Sequence, residues 1–226
     1  MLALSHRCLL FAAIAVLTVD MQAADKPLVE NDHVRITRVE LAPDGTLPND
    51  NQHDAITVQV TEGKTEYLEP SKLAKTEPSG TGQAHYFPAG SQRSIKNVGK
   101  TPVVYVQVQF LQPQSKYSAL DVPRTHYCNP DSKKACVTEK YQFCTERFCT
   151  ETVELTPGAV STQHTHDSDH ILIPTTEFTW REEPSGKAAG NFDFKPGEAQ
   201  YYEAGVTHRL INVGKTTARM FVVQYK

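Results

Sequence analysis

Nowhere among the 226 residues is there an apolar run approaching the ~20 residues that a membrane-spanning helix requires; the longest, residues 8–19, has about 12. Charge of one sign is equally scarce: 23 Lys and Arg against 26 Asp and Glu leave a net charge of −3, with both signs interspersed. Without a basic stripe or polybasic segment, nucleic acid and anionic membrane surfaces are excluded as partners. Helical periodicity is missing as well, and the one short candidate, S-K-L-A-K at 71–75, is confined by Pro70 and Pro78. There is no P-loop, no dinucleotide glycine fingerprint and no G-x-S-x-G elbow, so the commonest phosphate, nicotinamide and serine-hydrolase chemistries lack their signatures.

What is present begins with the short apolar run itself. His6 and Arg7 precede it and the small residues Ala23 and Ala24 follow, which is the layout of a cleaved secretory signal over residues 1–24. The mature protein is then expected to be secreted or periplasmic and free of the membrane. Cysteine usage agrees. Cys8 falls in the leader, leaving Cys128, Cys136, Cys144 and Cys149, an even number suited to two disulfides in an oxidising compartment. Three connectivities exist; Cys128–Cys136 with Cys144–Cys149 is favoured because each closes a short local loop. A zinc knuckle is the alternative, but the spacings lack its paired clips.

The chain repeats itself. F-P-A-G-S-Q-R-S-I-K-N-V-G-K-T at 87–101 aligns without a gap on Y-E-A-G-V-T-H-R-L-I-N-V-G-K-T at 202–216, and each leads into a strand-like run, V-V-Y-V-Q-V-Q-F or A-R-M-F-V-V-Q-Y. Residues 28–112 and 140–226 are thus expected to form two units, with 113–139 a polar, disulfide-stapled linker. Runs rich in β-branched and aromatic residues, punctuated by Gly, Pro, Asn and Asp, predict an all-β sandwich or barrel.

Four histidines in the second unit predict a metal site. In Q-H-T-H-D-S-D-H, His164 and His166 share one face of a strand because side chains alternate with period two, and His170 keeps that parity. His208 arrives later, in A-G-V-T-H-R-L-I-N. Asp167 and Asp169 have the opposite parity and are expected outside. Glu203 is the candidate general acid or base, with Tyr201, Tyr202 and Gln200 nearby. Trp180 and Arg181 are read as packing and a solvated charge.

These segments resemble the two signature motifs of the cupins. Gly158, five residues, His164-Thr-His166, three residues and His170 follow the first, with His170 where the cupins carry glutamate and Glu177 at the closing glycine. Gly197, Gly205, His208 and Asn212 follow the second, with Glu203 in place of a proline. In the first unit Gly45, Gly63, Gly82, Pro88, Gly90 and Asn97 fall on the same framework, while the ligand positions carry Asn51, His53, Ile56 and Arg93.

The resemblance implies a bicupin: two tandem cupin-type jelly-roll β-barrels, the first degenerate and packed against the second, with a homodimer as a further possibility. It implies one divalent transition metal held by His164, His166, His170 and His208. Imidazole ligands favour Fe, Ni, Zn or Cu. A closed tetrahedral zinc would only stabilise, whereas an octahedral ion would keep open positions. Dioxygenase-like chemistry on a small molecule is the reaction implied first, then isomerase or decarboxylase activity. The rivals are a non-catalytic binding protein with a structural metal and a metal-capturing protein.

Overall fold

The computed structural model describes residues 27–48, 52–69, 75–112, 117–118, 125–145 and 148–225. The leader expected over 1–24, Asn51 and residues 71–74 lie outside them. Among the described residues every regular element is a strand. Among the described residues no helix is long and apolar enough to cross a membrane.

In chain order the first strands are β1 (Val29–Glu30), β2 (Val34–Leu41), β3 (Thr46–Pro48), β4 (Asp54–Gln59), β5 (Gly63–Leu68), β6 (Lys75–Ser79), β7 (Ala84–Phe87), β8 (Ser94–Asn97) and β9 (Val103–Phe110). They are followed by β10 (Tyr117–Ser118), β11 (Thr125–Asn129), β12 (Ser132–Thr145), β13 (Phe148–Leu155), β14 (His164–His166) and β15 (His170–Pro174). The last are β16 (Phe178–Pro184), β17 (Gly190–Phe194), β18 (Gln200–Tyr202), β19 (Val206–Asn212) and β20 (Ala218–Tyr225).

Four sheets result, two from each half of the chain. In the first half the orders are β1-β2-β9-β4-β7 and β3-β8-β5-β6; in the second they are β10-β12-β13-β20-β15-β18, with β11 on β12, and β14-β19-β16-β17. The run β2-β9-β4-β7 thus recurs as β13-β20-β15-β18, and β3-β8-β5-β6 as β14-β19-β16-β17, so the sequence repeat is a repeat of strand order. All pairings are antiparallel.

The shared N-V-G-K-T has a physical cause. In each half the buried Asn amide donates to two carbonyls, Asn97 to Leu41 and Thr101 (2.9 Å each) and Asn212 to Leu155 and Thr216 (2.8 Å each). Its Oδ1 accepts from the backbone N–H two residues on, Gly99 or Gly214, at 2.9 Å. A Cβ on either glycine would sit 3.2 Å from that Oδ1, a tight approach that a larger residue could make only if the asparagine gave way by a few tenths of an ångström. Asn212→Ala leaves two buried carbonyls and a turn N–H without partners. It is expected to cost about 2–4 kcal/mol, readable as a lower denaturant midpoint at unchanged m-value.

A second duplicated bond fixes the register between the halves. Asp54 Oδ1 accepts from the Ala89 N–H at 2.6 Å, and Asp169 Oδ1 from the Ala204 N–H at 2.8 Å. With Asp54 on Asp169, and with Ala55 opposite Gln109 as His170 is opposite Gln224, the first-half counterpart of His170 is Ala55. The motif alignment had placed Ile56 there. One residue matters because it reverses the face: Ile56 is buried among the apolar residues between the halves.

β9 and β20, in the middle of the two large sheets, are covered on both faces and so read as near-continuous apolar runs. Val104, Val106, Val108 and Phe110 of β9 join Phe221 and Val223 of β20 in one core cluster. The alternate residues enter two others, Val103 and Tyr105 the interior of the first half, Ala218, Met220 and Val222 that of the second. Phe110 stacks on Phe148 at a centroid distance of 4.6 Å across the shared layer.

Within and beyond the stretch expected as a linker, residues 125–129 and 132–145 are strands β11 and β12, which extend the second large sheet. Two disulfides close within it, Cys128–Cys136 and Cys144–Cys149, each between directly opposite residues of an antiparallel pair.

Candidate metal centre

β14 and β19 are antiparallel neighbours with His164 directly opposite His208. The pleat returns His166 to the same face, so three imidazoles meet without any loop to position them. Their Nε2 atoms form a nearly equilateral triangle: 3.1 Å between His164 and His166, 3.2 Å between His166 and His208, and 3.2 Å between His208 and His164.

The outer nitrogens decide what that triangle is. His208 Nδ1 lies 2.8 Å from Glu182 Oε1; a carboxylate has no hydrogen to give, so Nδ1–H donates and Nε2 keeps its lone pair. His164 Nδ1 lies 2.9 Å from the Thr162 carbonyl oxygen, and the same reasoning applies. The His164–His208 contact therefore sets two lone pairs against each other at 3.2 Å. Without a cation that is repulsive. A divalent ion with bonds of about 2.0–2.1 Å to imidazole nitrogen fits such a triangle, so the residues present match a metal. Burial, then the neighbouring imidazoles His170, His164 and His208, lower the His166 pKa to about 3, keeping it in the neutral form a ligand needs.

His170 does not join the three. It is on β15, in the other sheet, and its ring stacks on His166 at 3.7 Å and on Tyr202 at 4.8 Å. The three-nitrogen grouping among the described residues is His164, His166 and His208. Parity brought His170 to the cavity, as expected, but placed its ring face-on to a ligand rather than nitrogen-on to the triangle. Burial lowers its pKa to about 4.

Glu203 is exposed and does not line the cavity. Alternation on the chain leading to His208 turns Tyr202 inward instead. Asp169 is also spent structurally, accepting from the Tyr201 hydroxyl and the Ala204 N–H. Trp180 packs against Phe194 at 4.6 Å in the core and reaches the cavity wall, while Arg181 pairs with Glu183 on the outside at 3.1 Å.

The triangle opens into a cavity of about 280 Å³. Leu172, Trp180, Leu210, Met220 and Val222 form its apolar side. Facing inward from β12 and β13 are Glu139, Tyr141 and Glu151, which the sequence reading passed over. Tyr141 is directly opposite Glu151, and Glu139 opposite Val153, so the two carboxyls are diagonal neighbours on one face. Burial, then the charge of Glu139, raises the Glu151 pKa to about 7. Burial raises Glu139 too, against the pull of His164. The charge of Glu151, then burial and Glu139, raises Tyr141. No Lys or Arg is among the described residues lining this cavity.

Glu182, half-buried on β16 two residues beyond Trp180, was likewise missed; its signal was the same alternation that turns Trp180 inward. Glu182→Gln turns an acceptor of charge into a neutral amide behind His208. A 10–100-fold loss of metal affinity with the fold intact is expected, measured by competition with a chelating indicator.

Elsewhere, the ligand counterpart Arg93 pairs with Glu69 at 3.4 Å on the first half. His126 contacts Thr138 Oγ1 at 2.8 Å, and the cysteines grouped with it, Cys128 and Cys136, are bonded to each other and hold no metal.

No protein-family model matches the sequence, and no curated protein matches it. Solved structures do. AerE from Microcystis aeruginosa aligns with a TM-score of 0.63 at 11% identity, over 89% of this chain and 96% of that one. A cupin 2 conserved barrel domain protein from Leptotrichia buccalis gives 0.53 at 11% identity, over 88% and 86%. A mutant of Bacillus subtilis oxalate decarboxylase gives 0.58 at 12%, over 85% and 69%; a structure of that enzyme concerned with its Mn(II) centres gives 0.55 at 13%. At such identities the likeness is one of fold, and the fold is the cupin jelly roll.

Proposed function

We propose that the chain is an exported bicupin whose second barrel, residues 140–226 with the strands that extend its sheet, holds one divalent transition metal and acts on a small molecule in the adjoining cavity. The observation that carries this reading is the triangle of Nε2 atoms, in which the outer nitrogens of His208 and His164 are already committed to Glu182 and the Thr162 carbonyl. Export is supported by the leader-like residues 1–24 and by the two disulfides.

His164, His166 and His208 would hold the ion, with Fe, Ni, Zn or Cu the metals that imidazole favours and Mn added by the Mn(II) centres of oxalate decarboxylase. A bound divalent ion supplies Lewis acidity and a fixed point for the substrate. Glu182 and the Thr162 carbonyl hold the His208 and His164 rings in the tautomer whose Nε2 lone pair faces inward. The apolar wall excludes water, and Glu139 and Glu151 can hold or accept a proton on the opposite side. Oxidoreductase chemistry of the dioxygenase type is the reaction class proposed first, with decarboxylation or isomerisation behind it.

A purely structural metal is the competing reading. It is disfavoured because structural zinc sites close with four protein ligands, whereas this triangle has three and faces a cavity. Elemental analysis of tag-free protein is expected to find one transition metal per chain, and X-ray absorption a coordination shell that changes when a small ligand is added. A closed, unresponsive four-nitrogen zinc, or no metal at all, would overturn the proposal.

A further inference from the structure

The lining of the cavity carries information about its ligand. Glu139 and Glu151 sit on adjacent strands, β12 and β13, on the face that looks toward the histidines. Diagonal neighbours of this kind are about 7–8 Å apart, so both carboxyls act on whatever occupies the space between sheet and triangle. No Lys or Arg among the described lining residues offsets them. A divalent ion on the three imidazoles would bring two positive charges, whose field would draw both carboxyls into the ionised form against the effect of burial, and the pair would then offset them.

A dicarboxylate ligand would then add two negative charges to a balanced, partly dehydrated site. It would meet carboxylates rather than an arginine fork. An uncharged ligand adds none. Ionised carboxylates can only accept hydrogen bonds, so a fitting ligand presents donors on that side, while Leu172, Leu210, Met220 and Val222 accommodate a carbon body. The volume, about 280 Å³, falls just below the ~300–1,000 Å³ typical of ligand pockets and suits a small ligand.

We infer that this site takes an uncharged, hydroxyl-bearing small molecule and rejects dicarboxylates, and that the diagonal pair Glu139 and Glu151 sets this preference. The inference rests on the metal reading above and gives it a substrate class. It also separates this chain from the oxalate decarboxylases whose fold it shares.

The test uses the full mature chain loaded with Co(II), its visible absorption reporting ligand binding, with cis-1,2-cyclohexanediol, an aliphatic diol that keeps its protons, as the uncharged probe and oxalate as the anionic one. The quantity read is the ratio of the two dissociation constants in wild type, E139Q, E151Q and the double variant. Removing each charge is expected to shift the ratio toward oxalate by roughly tenfold, with the double variant shifted furthest. The isosteric single variants keep the test decisive if the double variant does not fold. A ratio unchanged in the variants, or wild type that binds oxalate as well as the double variant does, overturns the inference while leaving the metal site standing. Failure to take up one Co(II) per chain overturns both.

Discussion

Replacing His208 with alanine is expected to reduce bound transition metal from one per chain to near zero. The triangle loses a vertex, and two imidazoles on one short strand are left to hold the ion alone. The affinity loss should exceed the 10–100-fold that follows loss of a partner behind a ligand. It also leaves the Glu182 side chain, 15% exposed, without its imidazole partner. The measurement is elemental analysis after dialysis against micromolar metal, joined to thermal denaturation with and without metal. Wild type at 100 times its Kd gains about 2.7 kcal/mol from the ion, and the variant gains nothing. His170→Ala is the informative control, since a ring stacked on His166 but outside the triangle should be dispensable for stoichiometry. A His208→Ala protein that still holds one metal would remove the basis of the functional reading.

Phe148→Ala is expected to be the most damaging change away from the histidines. Phe148 is fully buried, stacked on Phe110 at 4.6 Å and edge-on to Phe143 and Tyr86 at 6.2 and 6.1 Å. Phe110 and Tyr86 belong to the first half of the chain, Phe143 and Phe148 to the second. Truncation therefore opens a cavity in the layer that joins them, at a cost of about 3–5 kcal/mol. For a chain of this size that is a fall in Tm of roughly 6–20 °C, measurable by calorimetry. The stabilisation conferred by metal should survive, because the triangle lies on the other side of the second large sheet. A variant that melts with wild type would show that the two halves are not held by this aromatic cluster.

The histidines were legible in sequence because strand parity is a local rule. His-x-His shares a face whatever else the chain does, and His208 was found through its place in a repeated segment. Parity says nothing of how a ring is turned about its own bonds, so His170 was assigned to the ion when it stacks beside it. Glu139 was hidden for a different reason, and without it Glu151 had no neighbour to mark it. The region before residue 140 is polar, proline-interrupted and cysteine-bearing, which describes a linker until its pairing with β13 is known. The alternation of Val137, Glu139 and Tyr141 was present, but only the sheet reveals that this face looks onto a cavity. Ile56 was mistaken for the counterpart of His170 through one residue of alignment, and a duplicated aspartate bond was needed to correct it.

Ala55 and Ile56 stand back to back on one strand of the first half, and that arrangement separates two kinds of selection. Ile56 and its even-numbered companions supply the surface on which the second half rests, so any change there is felt throughout the molecule. Ala55, at the place where the second half keeps His170, is buried in the interior of its own half, and Arg93, at the place of His208, pairs with Glu69 at 3.4 Å. A repeated strand order built in this way lets one copy vary at the ligand positions with little mechanical cost, while its other face remains the wall on which its sibling leans.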